Sequence, residues 1–168
     1  GWLSSIADLY STIMRGTPVL VLLMLMFYVF LAKVDINGVY VAVLTFAFNF
    51  AAYVSEMFRT AIQSVDKGQT EAGIALGFSP VQTFINIIMP QAVQKVLPVY
   101  KGEMISLIKT TSIVGYIAVE DLTKVSDIIR SRTFDAFFPL LMVAILYFII
   151  AWLFGKALDL LNSKKTQA

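Results

Sequence analysis

The stretch from Glu56 to Pro98 constrains this chain most, because it is a polar interruption in a sequence that otherwise reads as membrane-spanning. Within it, the octet Glu71-Ala72-Gly73-Ile74-Ala75-Leu76-Gly77-Phe78 predicts a helical turn or two that stops at Gly77, a residue suited to ending a helix. Ser79-Pro80 then restarts a second helix, with Ser79 as its N-cap and Pro80 at the first helical position. The expected unit is a short helix, a sharp bend and another helix running back into the bilayer. A membrane protein keeps such an element where something outside the bilayer grips it.

Composition enters here because it fixes the solvent. Hydrophobic residues make up 58% of the chain, charged residues only 14%, and mean hydropathy is +0.79. A soluble domain carries roughly a quarter charged residues, so this is a membrane composition. The 168 residues allow roughly four or five spans of about 20 residues each and leave no room for a soluble domain beside them. Cysteine and histidine are both absent. No disulfide framework or thiol nucleophile is possible, and the commonest general base and zinc ligand are missing. A net charge of +2 gives no footing for nucleic acid. Enzymatic acid–base work would fall to Glu103, Lys109 or Glu120-Asp121, with no metal-like cluster around them. No Gly-x-x-x-x-Gly-Lys-Ser/Thr sequence is present, so the chain carries no P-loop of its own.

Apolar runs place spans at about residues 17–32, 39–57, 91–119 and 137–158, with a polar loop over about 59–90. Ahead of them, Trp2 to Met14 sets Leu3, Ile6, Leu9, Tyr10 and Ile13 at helical spacing, an amphipathic segment suited to the membrane interface. Arg15 reads either as an interfacial anchor or as a contact for lipid phosphate or a partner. Asn49, at mid-membrane, reads either as an interhelical hydrogen bond or as part of a solute path. The third span is heavily charged, with Lys95, Lys101, Glu103 and Lys109. Each charge costs about 3 kcal/mol at the centre of an inserted helix, so these side chains face protein or water. Glu103 and the run Lys109-Thr110-Thr111-Ser112 are the candidate residues of a translocation path; the alternative is that the hydroxyls bond back to their own helix and Lys109 snorkels. Residues 120–135 predict a short amphipathic helix at the far membrane surface, either a docking platform or gate, or a solvated connector.

Four alternating spans put Arg15, Arg59, Lys67, Lys95, Lys101, Lys164 and Lys165 on one side and Lys33, Lys124, Arg130 and Arg132 on the other. The excess of basic residues assigns the first side, with the Glu71–Gly77 helix, to the cytoplasm.

The same residues resemble a known family. Glu71-Ala72-Gly73, Gly77 and Ile88-Met89-Pro90 resemble the EAA loop of ABC importer permeases. Gly73 stands where that family usually has Ala, and Met89 where it commonly has Leu. Arg15-Gly16-Thr17-Pro18, Glu56-Met57-Phe58-Arg59, Ile62-Gln63-Ser64-Val65 with Lys67-Gly68-Gln69, Pro90-Gln91-Ala92 and Ser131-Arg132-Thr133-Phe134 resemble its polar amino-acid branch. The resemblance extends from about Tyr10 to about Leu161. It implies an all-α, polytopic helical bundle of the type I importer permease kind, forming one permease domain in a bacterial inner membrane. Glu71, Ala72, Gly73, Ala75, Leu76 and Gly77 would then be the coupling helix, with Glu71 capping or anchoring its start and the small residues allowing close contact. The implied partners are two ABC ATPase subunits, a second permease copy or paralogue, membrane lipid, and an extracytoplasmic amino-acid-binding protein, separate or fused upstream. ATP would be bound by the ATPases, leaving this chain without a cofactor. Family members usually carry one more span ahead of Arg15, so the first span of the family is expected to be missing here. Many relatives have Lys-Asp-Thr-Ser where this chain has Lys109-Thr110-Thr111-Ser112, so no ligand contact carries over to Thr110. The alternative reading is a channel or secondary-transporter subunit, which would need no Glu71–Gly77 handle.

Overall fold

The computed structural model describes the backbone of residues 1–163 and the side chains of residues 1–160; Lys164 and Lys165, used above for topology, lie outside the described residues. Among the described residues the chain is helical and contains no strand. Helix α1 (Trp2–Gly16) bends by 106° into α2 (Val19–Leu25), which continues as a π-helical turn over Met26–Phe30. The run read as a span over residues 17–32 thus gives seven α-helical residues and a five-residue π turn. That is about 18 Å at 1.5 Å per residue, short of the ~30 Å hydrocarbon core. By length and composition α2 contributes to a crossing only together with α1.

The break between α1 and α2 has a local cause. Pro18 lacks an N–H and drives Thr17 to extended backbone, with φ −106° and ψ 134°. Asn49 donates from Nδ2 to the Met14 carbonyl at 2.6 Å, satisfying an acceptor at the open end of α1. This is the interhelical role weighed above for Asn49.

Helices α3 (Gly38–Gln63) and α8 (Phe137–Ser163) are each long and apolar enough to cross a membrane, with mean hydropathies of 1.6 and 2.5 over their candidate spans. Asn37 caps α3 by accepting from the Val39 N–H. The charged segment read as a span over 91–119 belongs to a longer helical path. It runs through α5 (Pro80–Thr83), a π turn over Phe84–Ile88, α6 (Met89–Thr110) and a 3-10 turn over Thr111–Ile117. Helix α7 (Leu122–Thr133) is the amphipathic segment expected over 120–135. Asp121 caps it by accepting from the Lys124 N–H at 2.8 Å, and Tyr147 of α8 donates to the other Asp121 oxygen at 3.0 Å.

The α3–α6 pair is the centre of the bundle, with α1 and α2 against α3, and α8 against α6 and α7. Two small cores hold it. Leu23, Ala42, Phe46, Val114 and Ile117 join α2, α3 and the 3-10 turn; Ala61, Val65, Ile88, Ala92 and Val96 join the end of α3 to the start of α6. Only 6% of the α8 span is buried within the chain, so most of its apolar surface faces its surroundings.

Between α3 and α5 stands α4 (Lys67–Ala75). Here one expectation is corrected: Glu71 does not cap the helix. Asp66 does, its carboxylate accepting from the Gly68 N–H at 2.6 Å, so the helix begins four residues before Glu71, which sits exposed in mid-helix. The other end follows the expectation. Gly77 adopts φ +86°, its N–H bonds to the Ile74 carbonyl, and the Phe78 N–H reaches back to the Gly73 carbonyl at 3.1 Å. That pair of bonds is a Schellman ending, which needs a left-handed residue at Gly77. Ser79 and Gln82 cap α5 reciprocally, Ser79 Oγ accepting from the Gln82 N–H and Gln82 Oε1 from the Ser79 N–H.

Gly73 is buried where α4 crosses α5. A Cβ there would lie 2.5 Å from Thr83 Cγ2, 2.8 Å from Thr83 Oγ1 and 3.0 Å from Ile87 Cδ1. Thr83 is itself 1% exposed, and its branched side chain has little freedom to turn away. Gly73→Ala is expected to destabilise the purified chain by about 1–3 kcal/mol through overpacking. Thermal melting in detergent should show that loss, and Thr83→Ala in the same chain should recover most of it by removing both crowding atoms. Asn49→Leu, which leaves the Met14 carbonyl without its donor, should cost a further ~1–3 kcal/mol in the same assay.

Candidate functional site

Two features built on α6 make up the site: a handle at one end and a polar trough along its side. The handle is α4 with the turn into α5. Its tip is apolar and uncovered within the chain: Ile74 is 53% exposed, Leu76 75% and Val81 66%. Of the predicted coupling residues, Glu71, Ala72, Ala75, Leu76 and Gly77 lie on this exposed surface, while Gly73 faces inward against Thr83. Exposed apolar side chains on a short, small-residue helix form a surface that a partner can cover.

Two α6 side chains one turn apart fasten this region, one to the handle and the other to the end of α3 that leads into it. Gln91 donates from Nε2 to Gln69 Oε1 of α4 at 3.2 Å and to the Ile87 carbonyl at 2.8 Å. Lys95 donates from Nζ to the Ser64 carbonyl at 2.8 Å and to Ser64 Oγ at 3.0 Å. Ser64 closes α3, where unpaired carbonyls and the negative end of the helix dipole favour a cation.

The trough runs between α1, α3 and α6 as two adjoining cavities of about 360 and 500 Å³. Arg15, Tyr53 and Glu103 line both and form a waist between them. The first cavity reaches toward the handle past Glu56, Thr60 and Ser64. The second opens at the α1–α2 break, with Thr17, Asn49, Ser106 and Thr110 on its walls. Irregular backbone at membrane depth is tolerated where it is buried in protein or lines a cavity, and Thr17-Pro18 meets that condition. Charges along the trough alternate. Arg15 lies 3.5 Å from Glu56, and Arg59 bridges Glu56 at 3.6 Å and Asp8 at 2.5 Å. Glu103 forms no ion pair with any described residue, so its carboxylate meets the cavity. The waist therefore brings a guanidinium and a carboxylate to the cavity walls.

The predicted path residues do not share one wall. Glu103 and Thr110 lie on the trough side of α6, although the Thr110 hydroxyl also bonds back to the Ser106 carbonyl at 3.0 Å. Lys109 points to the other side, into an open groove of about 500 Å³ between α6 and α8 beside Tyr147 and Phe148. Thr111 bonds back to the Ile108 carbonyl at 2.7 Å, and Ser112 lines a separate cavity of about 240 Å³ under α7. Successive residues on a helix point about 100° apart, so a run of four cannot face one pocket. Residues that sequence reasoning missed are Asp66, Gln91, Lys95 and Tyr53. The first was legible as Asp-Lys-Gly ahead of a helix; Gln91 and Lys95 are four apart on one helical face. No group of described residues could hold a metal ion.

Comparison with known proteins fits this geometry. The family of binding-protein-dependent transport system inner membrane components matches residues 1–167. A Rickettsia typhi protein assigned as a glutamine transport system permease is 34% identical over 160 residues, covering 94% of this chain and 73% of its own length. The L-cystine transport system permease of Bacillus subtilis (strain 168) is 38% identical over 154 residues, covering 90% of this chain and 64% of its own. A crystal structure of an amino acid ABC transporter with histidines superposes with a TM-score of 0.84 at 37% identity, covering 95% of this chain and 75% of that one. The chain belongs to the binding-protein-dependent transport system inner membrane components, the permease subunits of ABC transporters.

Proposed function

We propose that this chain is the permease through which an ATP-driven importer brings a polar amino acid, glutamine or a similar one, across a bacterial inner membrane. One observation carries the reading. The helix that lines the trough with Glu103 and Thr110 is tied by Gln91 to a handle whose apolar tip the chain leaves uncovered. A force on the handle is thereby a force on the wall of the trough. The relatives support the cargo, since their names speak of glutamine, cystine and amino acids. The waist suits it, because a zwitterion presents an ammonium to Glu103 and a carboxylate to Arg15.

In this reading two permease chains, identical or related, stand side by side and two ATPase subunits each receive a handle on the cytoplasmic side. A binding protein delivers the amino acid from the other side. ATP-driven closure of the ATPases pushes the handles, tilts α3 and α6, and turns the trough from inward-open to outward-open. The chain does no chemistry of its own, and ATP hydrolysis belongs to the partner.

Reconstitution tests this. Liposomes holding the full assembly, with ATP inside and binding protein outside, should take up labelled glutamine, and omission of either ATP or binding protein should stop it. Glu103→Gln keeps the shape of the waist but loses its charge, and should lower uptake about tenfold, the order expected for one hydrogen bond to a charged group. Uptake that continues without ATP would replace the importer with the channel or secondary-transporter reading.

A further inference from the structure

We propose that Lys95 is a positioning residue that holds the root of the handle to α6, so that work delivered at α4 arrives at the trough instead of dissipating at the α3–α4 hinge. The inference rests on the reading of α4 as the driven handle and goes beyond it by naming the side chain that transmits the motion.

The hinge lies between Gln63, the last residue of α3, and Lys67, the first of α4. Three residues, Ser64, Val65 and Asp66, connect the two helices, and such a joint can yield unless it is braced. Val65 is buried in the core that joins α3 to α6. Asp66 is committed to capping α4. Ser64 is held by Lys95, whose ammonium donates at once to its carbonyl at 2.8 Å and its hydroxyl at 3.0 Å. The hydroxyl in turn donates to the Ala61 carbonyl at 2.8 Å, so Lys95, Ser64 and the last turn of α3 are linked in series. Hydrogen bonds from an ammonium are about twice as strong as neutral ones, and here they meet the negative end of α3.

Along α6, Gln91 grips α4 and Lys95, one turn on, grips Ser64, the residue that closes α3 and opens the connection to α4. Pro98 follows inside the same helix and removes the backbone hydrogen bond back toward Gln94. Glu103 stands eight residues beyond Lys95, about 12 Å along the axis. Lys95 and Val96 line the first cavity on one side of Pro98, and Val99 and Glu103 line it on the other, so the wall of the trough spans the position where the proline weakens the helix. With the clamp closed, a displacement of the handle carries the lower part of α6 and bends it at Pro98. With the clamp open, the α3–α4 joint absorbs the displacement.

The test is the number of amino acids taken up per ATP hydrolysed by the reconstituted assembly, for the parent chain and for Lys95→Met, Lys95→Arg, Ser64→Ala and the Lys95→Met/Ser64→Ala double variant. Lys95→Met should lower that ratio about tenfold, with hydrolysis persisting, because a charged hydrogen-bond pair is lost. Lys95→Arg, which keeps a cation with several donors, should retain most of it. Ser64→Ala keeps the carbonyl acceptor and should lose only about two- to threefold, and the double variant should be no worse than Lys95→Met alone. An unchanged ratio in Lys95→Met, or uptake and hydrolysis falling together in proportion to the assembly recovered, would overturn the proposal. If Lys95→Met does not assemble, Ser64→Ala decides: an unchanged ratio there overturns it equally. Failure of the underlying import reading is distinct, since the parent chain would then show no ATP-linked uptake at all.

Discussion

A helix bearing Lys95, Lys101, Glu103 and Lys109 cannot stand bare in hydrocarbon, and the arrangement of this chain follows from how those charges are received. Lys95 goes to the carbonyl and hydroxyl that end α3, and Lys101 to Asp159 of α8 at 2.5 Å. Glu103 opens onto the trough, and Lys109 onto the α6–α8 groove. The first two fasten α6 to its neighbours on either side. The other two give it polar surface along the trough and the α6–α8 groove. One helix is therefore both the mechanical centre of the bundle and a wall of its cavities, and the handle is attached to that helix.

The modest cores agree with this. One apolar cluster joins α2 to α3 and the 3-10 turn, another joins the end of α3 to the start of α6, and much of the remaining apolar surface, above all on α8, points outward. In water such exposure would be a liability; for a membrane permease it is a surface suited to lipid. The broken α1–α2 pair belongs to the same logic, since its unpaired backbone lies over the cavity and Asn49 reaches across to satisfy it.

Much of this was legible in the sequence, where local chemistry decides the outcome. Gly77 had to end a helix and Ser79-Pro80 had to begin one, because glycine's left-handed backbone and proline's missing N–H act whatever surrounds them. What stayed hidden depended on partners distant in the chain. Lys95 read as a charge in a span until α3 was seen to end beside it. Lys109 to Ser112 looked like one polar cluster because they are contiguous, yet helical rotation sends them to different cavities. Gly73, which departs from the usual alanine of the family, is explained only by Thr83 ten residues on, whose branched side chain fills the space a Cβ would need.

What covers the tip of α4 decides whether it is a driven handle. The absence of native cysteine makes a clean probe possible: a single Ala75→Cys in the otherwise cysteine-free chain, crosslinked in its own membrane and identified by mass spectrometry. The expected product is an adduct with an ABC ATPase subunit whose yield changes with nucleotide. Adducts only with lipid or with another copy of this chain, while amino-acid uptake proceeds without ATP, would contradict that reading.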